Sequence, residues 1–147
     1  NSYMSNLVTT VFRVKANKKA LNQLSSINKS ITNAESFAEV LGEDMDTGAK
    51  WANFVDVDND TVSLESGNHL PDIAIKNLHR ILCEFDPNVE IIDGEYWEQN
   101  YIEVGVFVID EDGFRFVSTS IDDVDIDEEN AFETYVDPIL QKLKNDL

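Results

Sequence analysis

Alternation of apolar and polar residues over short segments is the feature that most constrains the fold of this chain. Residues 6–16 (NLVTTVFRVKA) would place Val8 and Phe12 on one face and Val11 and Arg13 on the other, because successive side chains of a strand point to opposite faces. The same pattern recurs at residues 89–99, 100–110 and 113–120. We therefore expect a sheet built from short strands.

Two turns are predicted to join neighbouring strands into hairpins. Residues 52–66 (ANFVDVDNDTVSLES) contain two β-prone runs on either side of Asp58-Asn59-Asp60. Residues 110–113 (DEDG) form a second tight turn between two alternating segments. Acidic, asparagine and glycine residues are typical of such turns, and hairpins pair their strands antiparallel.

Segments with helical spacing of apolar residues separate the strands. Asn17 and Asn33 are predicted to cap helices over residues 18–27 and 34–42, and residues 70–85 form the clearest helix. A terminal helix has an apolar stripe made of Phe132, Val136, Ile139, Leu140 and Leu143. The order β, α, α, ββ, α, βββ, α predicts an α+β fold: one antiparallel sheet with helices packed on one face and a ferredoxin-like (split βαβ) core.

A length of 147 residues and an apolar content of 42% fit a single globular domain. We expect this domain to span residues 4–147, with Met4 as the native start and residues 1–3 as a remnant of cloning. Cys83 is the only cysteine, so no disulfide can form within the chain and a cytoplasmic location is expected. The sequence contains no apolar run of membrane-spanning length and no signal peptide.

The net charge of −18 is extreme for this length and is unevenly distributed. Residues 1–42 contain five basic and two acidic side chains, which gives a net charge of +3. Residues 43–147 contain six basic and 27 acidic side chains, which gives a net charge of −21. An acidic surface repels free nucleic acid and attracts basic proteins, and we expect no membrane partner. The expected partner is therefore a basic protein.

Residues 56–67 (DVDNDTVSLESG) begin with the alternating aspartates of a calcium loop. An EF-hand loop needs glycine at position six and glutamate at position twelve, but Thr61 and Gly67 occupy those positions. A solvated hairpin tip is the favoured interpretation. The acids of residues 122–129 leave weak, adventitious binding of Ca²⁺ or Mg²⁺ open, but we predict no built metal site and no cofactor.

The residue combinations that commonly carry catalysis are absent from the sequence. His69 and His79 are ten residues apart, which is not the i, i+4 spacing of two zinc ligands on a helix. His79 is expected to face solvent, and Cys83 is expected to be a small buried residue beside an apolar stripe. Since no nucleophile–base pair and no glycine-rich phosphate loop is evident, we expect a protein without enzymatic activity.

The acidic clusters are predicted to form a partner-binding face that imitates the charge of a nucleic acid. Its members are Asp56, Asp58, Asp60, Glu95, Glu98, Asp110, Glu111, Asp112, Asp122, Asp123, Asp125, Asp127, Glu128 and Glu129. Duplex DNA carries one negative charge per roughly 1.7 Å of its axis, and carboxylates on loops and strands can present a similar potential. Trp97 is a candidate interface aromatic if its ring is exposed, and exposed sheet edges are compatible with a homodimer.

Several short motifs resemble the YubB-type ferredoxin-like domain of plasmids and phages. They are GAKWANF, SLESGNHLPDIAIKNL, FDPNVEI and YWEQNYIEVGVFVIDEDG, which lie within residues 47–113. The matching residues are Gly48, Lys50, Trp51, Pro71, Tyr101, Glu103 and Gly105. The resemblance implies a ferredoxin-like fold and an origin in a mobile element, but no activity.

Two functions follow as hypotheses. The first is a phage- or plasmid-encoded inhibitor whose acidic face occupies the nucleic-acid groove of a host protein, such as a defence nuclease, a restriction or CRISPR effector, or a transcription factor. The alternative is a small enzyme or ligand-binding domain. Its site would lie around the positions shared with the family, Lys50, Trp51, Tyr101 and Glu103.

Overall fold

The protein is an α+β fold with a six-stranded antiparallel sheet in the order β2-β3-β1-β4-β5-β6. The strands are β1 (Leu7–Lys15), β2 (Lys50–Asp58), β3 (Thr61–Gly67), β4 (Glu90–Glu98), β5 (Glu103–Asp110) and β6 (Gly113–Ser120). The helices are α1 (Lys18–Ser30), α2 (Ala34–Leu41), α3 (Asp72–Cys83) and α4 (Asp137–Lys144), the last preceded by a π-helical turn at Phe132–Val136. The predicted antiparallel sheet and its two hairpins are confirmed.

This computed structural model describes residues 6–43, 48–122 and 127–147. The predicted start at Met4 with its preceding residues 1–3, and two members of the predicted acidic face, Asp123 and Asp125, lie outside the described residues.

The helix boundaries follow the predicted capping residues. The side chain of Asn17 accepts a hydrogen bond from the backbone N–H of Ala20 at 2.9 Å. Asn33 and Ser36 form a reciprocal capping box at the start of α2, and Gly42 ends that helix in the left-handed conformation (φ 72°). Because these caps satisfy backbone groups that a helix end leaves unpaired, local sequence determines where both helices begin.

Helices cover both faces of the sheet, so the prediction that all helices pack on one face is wrong. The main core contains Phe12, Phe37, Leu64, Leu78 and Phe107 and lies between the sheet and α1–α3. On the opposite face, α4 packs against β5 around Val104, Val106, Val136 and Leu140.

The double coverage explains why β5 is apolar almost throughout. Val104 and Val106 point toward α4, whereas Phe107 and Ile109 point into the main core. A strand buried on both faces loses the alternation that marks a half-buried strand. The sheet also extends beyond four strands through β5 and β6, so the strand order and the helix placement differ from those of the predicted ferredoxin-like fold.

The two edge strands of the sheet differ in regularity. β2 shifts register against β3 at two places, between Lys50 and Asn53 and between Phe54 and Asp56. β6 pairs with β5 in unbroken register from Asp110–Gly113 to Glu103–Ser120. The outer side of β6 is therefore the more regular edge of the sheet.

Candidate functional site

The strand registers place the two acidic hairpin turns at the same end of the sheet. Arg13, near the end of β1, pairs with Thr61 beside the first turn, and Ile91, near the start of β4, pairs with Ile109 beside the second. β3 and β5 are three strand positions apart in the sheet, which corresponds to roughly 14 Å. We call this the hairpin-tip end; its acids are Asp58, Asp60, Asp110, Glu111 and Asp112.

Basic side chains neutralise part of the hairpin-tip end. Arg13 contacts Asp60 at 3.1 Å and Asp93 at 3.4 Å, and Arg115 contacts Asp110 at 2.5 Å. The hydrogen bond from Arg13 lowers the pKa of Asp60. The pKa of Asp110 is also lowered, first by the backbone N–H of Asp112 and then by Arg115. Local ion pairs therefore reduce the negative potential that this end presents.

Asp56 and Glu95 lie between the two ends of the sheet. Asp56 is exposed on the edge strand β2, opposite Ser63 of β3. Glu95 lies beside α4, where Lys144 contacts it at 2.7 Å and its side chain keeps 15% of its exposure. This pairing removes Glu95 from the acids that are free to meet a partner.

The second acidic cluster occupies the opposite end of the sheet, which we call the connector end. Its acids are Glu98, Asp122, Asp127, Glu128, Glu129 and Glu133. Glu98 pairs with Val8, far from the pairing of Lys15 with Glu90 at the other end of β1. Asp122 follows the end of β6, where the backbone of Ile121 donates to that of Ile102 at 3.3 Å.

Three acids of the connector end differ from Asp60 and Asp110 in forming no ion pair with a described residue. Asp122, Glu129 and Glu133 are exposed, and none of them belongs to the six ion pairs formed between described residues. Nine residues of β1 separate the two ends, a length of roughly 27 Å. The described acids of the predicted face therefore lie mainly in two clusters at opposite ends of the sheet, and these clusters differ in their ion pairs.

Trp97 belongs to the small core under α4. Its ring centroid lies 4.6 Å from that of Phe132, and the residue is half-buried. Aromatic pairs of this kind commonly stabilise a core. The Trp97 ring is not exposed, so it does not meet the condition for an interface anchor.

The four residues of the alternative site do not converge. Lys50 and Trp51 begin the edge strand β2, whereas Glu103 begins β5, four strand positions away and hence roughly 19 Å across the sheet. The ring of Tyr101 packs toward Phe132 beneath α4. Of the four, Glu103 lines a cleft.

That cleft lies between the start of α3 and strand β6, and we call it the α3–β6 cleft. It encloses 270 Å³ and is lined by His69, Leu70, Asp72, Tyr96, Glu103, Phe114 and Phe116. The hydroxyl of Tyr96 donates a hydrogen bond to Glu103 Oε1 at 3.2 Å. Burial raises the pKa of Tyr96, so this phenol remains a donor at neutral pH. Apart from Glu103, sequence reasoning missed this site. The sequence pattern that could have indicated it is the alternation of Phe114 and Phe116 on an edge strand.

A second cleft, of 370 Å³, lies at the hairpin-tip end and includes His79, Asn88 and Glu111 in its lining. His79 is half-buried and its Nε2 lies 2.9 Å from the carbonyl oxygen of Val89, so the prediction that it faces solvent is wrong. Cys83 Sγ lies 3.7 Å from His79 Nδ1. Burial raises the pKa of this thiol, which disfavours the reactive thiolate.

Metal coordination finds little support in the described residues. Nowhere in residues 6–43, 48–122 and 127–147 do three or more histidine, cysteine or acidic side chains come together in a group able to hold an ion. Asp58 and Asp60 flank a β-turn between strands rather than a loop between helices, which confirms the predicted hairpin tip. Among the described helices, none has the length and apolar character required to cross a bilayer.

Comparisons with protein-family models, with curated proteins and with solved structures found no match.

Proposed function

We propose that this chain is a non-enzymatic binding protein whose connector end engages a basic surface of another protein. The partner class is a nucleic-acid-binding protein of a host cell, such as a defence nuclease, a restriction or CRISPR effector, or a transcription factor. In this proposal the carboxylates occupy positions on the partner that nucleic-acid phosphates otherwise hold. The protein would thus act as an inhibitor by mimicking nucleic-acid charge.

The observation that carries the proposal is the unequal neutralisation of the two acidic ends. At the hairpin-tip end Arg13 and Arg115 pair with acids of the same chain. At the connector end, Asp122, Glu129 and Glu133 are exposed and belong to no ion pair between described residues. Crowded like charges destabilise a folded protein, and a basic partner relieves that repulsion.

The charge distribution also favours rapid association. The net charge of −18 produces a field that steers a basic partner over distances longer than those of direct contacts. The field is screened by salt, with a Debye length of about 8 Å at physiological ionic strength. Binding is therefore expected to weaken as the salt concentration rises.

We also propose a relation in fold and origin to domains of mobile elements. The order β2-β3-β1-β4 within the sheet, with α1 after β1 and α3 after β3 in the chain, supports a split βαβ core to which β5, β6 and α4 are additions. The motifs around Trp51 and Tyr101 that resemble the YubB-type domain support an origin in a phage or plasmid, and action in the host cytoplasm.

Two triple variants with the same change in charge test the site. The first, Asp122→Asn with Glu129→Gln and Glu133→Gln, removes three carboxylates from the connector end. The second, Asp58→Asn with Glu111→Gln and Asp112→Asn, removes three exposed carboxylates from the hairpin-tip end. Each protein is immobilised, exposed to nuclease-treated bacterial lysate at low salt, and then washed with short duplex DNA.

The wild-type protein and the hairpin-tip variant are expected to retain a basic protein that duplex DNA releases, and the connector variant is expected to lose it. Retention that duplex DNA does not reverse would contradict nucleic-acid mimicry. Equal loss in both variants would show that net charge, rather than the connector end, determines binding.

A further inference from the structure

We propose that the α3–β6 cleft binds an organic cation: an alkylammonium or guanidinium group attached to a short apolar stem. Glu103 begins β5 at the connector end of the sheet, but it is not among the three acids changed in the connector variant, and the ligand class of the cleft does not depend on the function proposed above.

The size of the cleft suits one small group. Its 270 Å³ lies below the range of about 300–1,000 Å³ that is typical of sites for drug-sized ligands. Leu70, Phe114 and Phe116 supply apolar walls. This volume matches a single side chain or a small amine more closely than a nucleotide or a large cofactor.

The lining of the cleft includes the ring of Tyr96, which lies flat over a small residue of the sheet. Gly105 pairs with Ser118 across β5 and β6, and the ring of Tyr96 lies over Gly105. Phe116 and Glu103 lie on either side of the Gly105–Ser118 pair along the two strands. An apolar stem can therefore lie against Phe116 while its charged head reaches Glu103.

The polar groups of the cleft select a cation. Glu103 and Asp72 place two carboxylates in the lining, and an anionic ligand would be repelled by both. Tyr96 donates to Oε1 of Glu103, which orients the carboxylate and leaves Oε2 for a ligand. Within the described residues, no ion pair involves Glu103.

The protein already holds a cation of its own beside this cleft. Lys76 Nζ lies 4.9 Å from the centroid of the Phe114 ring and 3.4 Å from Asp72 Oδ2. An ammonium group between an aromatic face and a carboxylate is a favourable arrangement. Phe116 is the next ring along, 5.8 Å from Phe114 between centroids, and 54% of its surface is exposed, so its face is accessible to a second cation.

The same chemistry is found in free amines and in the arginine or lysine side chains of a protein. The test therefore uses three probes in NMR titrations of ¹⁵N-labelled protein: butylguanidinium, its neutral analogue butylurea, and a short glycine- and serine-rich peptide with one arginine. Butylguanidinium is expected to cause saturable shifts at Phe116 and Ser118, and butylurea none. Tighter binding of the peptide would indicate a protein side chain as the natural ligand; equal or weaker binding would indicate a free amine or guanidine.

Variants connect the binding to the proposed contacts. Glu103→Gln and Phe116→Ala are each expected to weaken butylguanidinium binding about fivefold or more. Glu111→Gln and Val55→Ala change exposed acidic and apolar residues away from the cleft and should leave it unchanged. Equal binding of butylurea, or shifts spread over the acidic surface without saturation at the cleft, would overturn the proposal. Because the readout is a small molecule at the cleft, its failure is distinguishable from failure of the connector end to bind a partner.

Discussion

The ring of Tyr96 on β4 lies directly over Gly105, its partner in register on β5. A Cβ atom at Gly105 would lie 2.5 Å from Tyr96 Cε1. The next pair along the strands repeats the relationship, since a Cβ at Gly94 would lie 2.7 Å from Phe107 Cδ2. The two glycines let two aromatic rings lie across the sheet, and one of these rings carries its hydroxyl to Glu103.

Gly105→Ala is expected to destabilise the protein because the new methyl group has no space beneath the buried Tyr96 ring. Overpacking of this kind typically costs about 1–3 kcal/mol in the free energy of unfolding, measurable by urea denaturation. Ser120→Thr is the control, because it also adds one methyl group to the sheet but at an exposed position of β6. A Gly105→Ala protein as stable as wild type would show that the ring moves freely.

Glu43→Ala is expected to loosen the contact between the segment before β2 and the start of α3. The buried Glu43 carboxylate accepts hydrogen bonds from the backbone N–H groups of Ala74 at 2.8 Å and Ala49 at 3.3 Å. Hydrogen bonds to a charged group contribute about 1.5–3 kcal/mol, and thermal unfolding should reveal a loss of that size. Glu39→Ala, at an exposed position on α2, is the matched control. A similar loss of stability in both variants would show that the hydrogen bonds of Glu43 are not its cause.

Leu140→Ala is expected to weaken the packing of α4 on the sheet. Leu140 is fully buried, and removing such a side chain costs about 2–5 kcal/mol. In a Trp51→Phe background the fluorescence comes from Trp97, whose contact with Phe132 lies under the same helix segment. We expect its emission to shift to longer wavelength. Ile102→Ala changes an exposed residue and should leave the emission wavelength unchanged. Unchanged emission in the Leu140 variant would show that the surroundings of Trp97 do not depend on the packing of Leu140.

Arg13→Ala is expected to raise the pKa of Asp60 toward its ordinary value of 3.8, since the hydrogen bond from Arg13 is what lowers it. A carboxylate with a lowered pKa in the folded state stabilises the fold above the ordinary value, and this contribution is lost as the pH falls through the lowered value. Carboxyl ¹³C NMR titration measures the change. Asp110 should keep its midpoint, because the Asp112 backbone and Arg115 lower its pKa; a shift of both would implicate a global change instead.

The local sequence was sufficient to predict the strands and helices, but not how they pack together. The alternation in β1 and the caps at Asn17 and Asn33 depend on residues close in sequence, so they were predictable. The apolar stripe of α4 was equally visible. The face of the sheet that it covers, however, is decided by Val104 and Val106, more than thirty positions away.

The electrostatic pattern was hidden for the same reason. A count of acids gives the net charge, but Arg13 neutralises Asp60 and Asp93 from 47 and 80 positions away. The cleft at Glu103 likewise depends on Leu70 and Phe116, which belong to separate elements. Long-range pairing of strands decides both which acids remain unneutralised and which aromatics meet a carboxylate.

The regular outer edge of β6 bears on how the protein stays dispersed. The unpaired backbone groups of a regular edge strand can bind the edge strand of a second copy. Register shifts or a proline would hinder such pairing, and β6 has neither. Electrostatic repulsion between two chains, each with a net charge of −18, opposes this pairing instead. As the pH approaches the isoelectric point near 4.1, light scattering should reveal self-association, so colloidal stability in this molecule is a property of its carboxylates rather than of its topology.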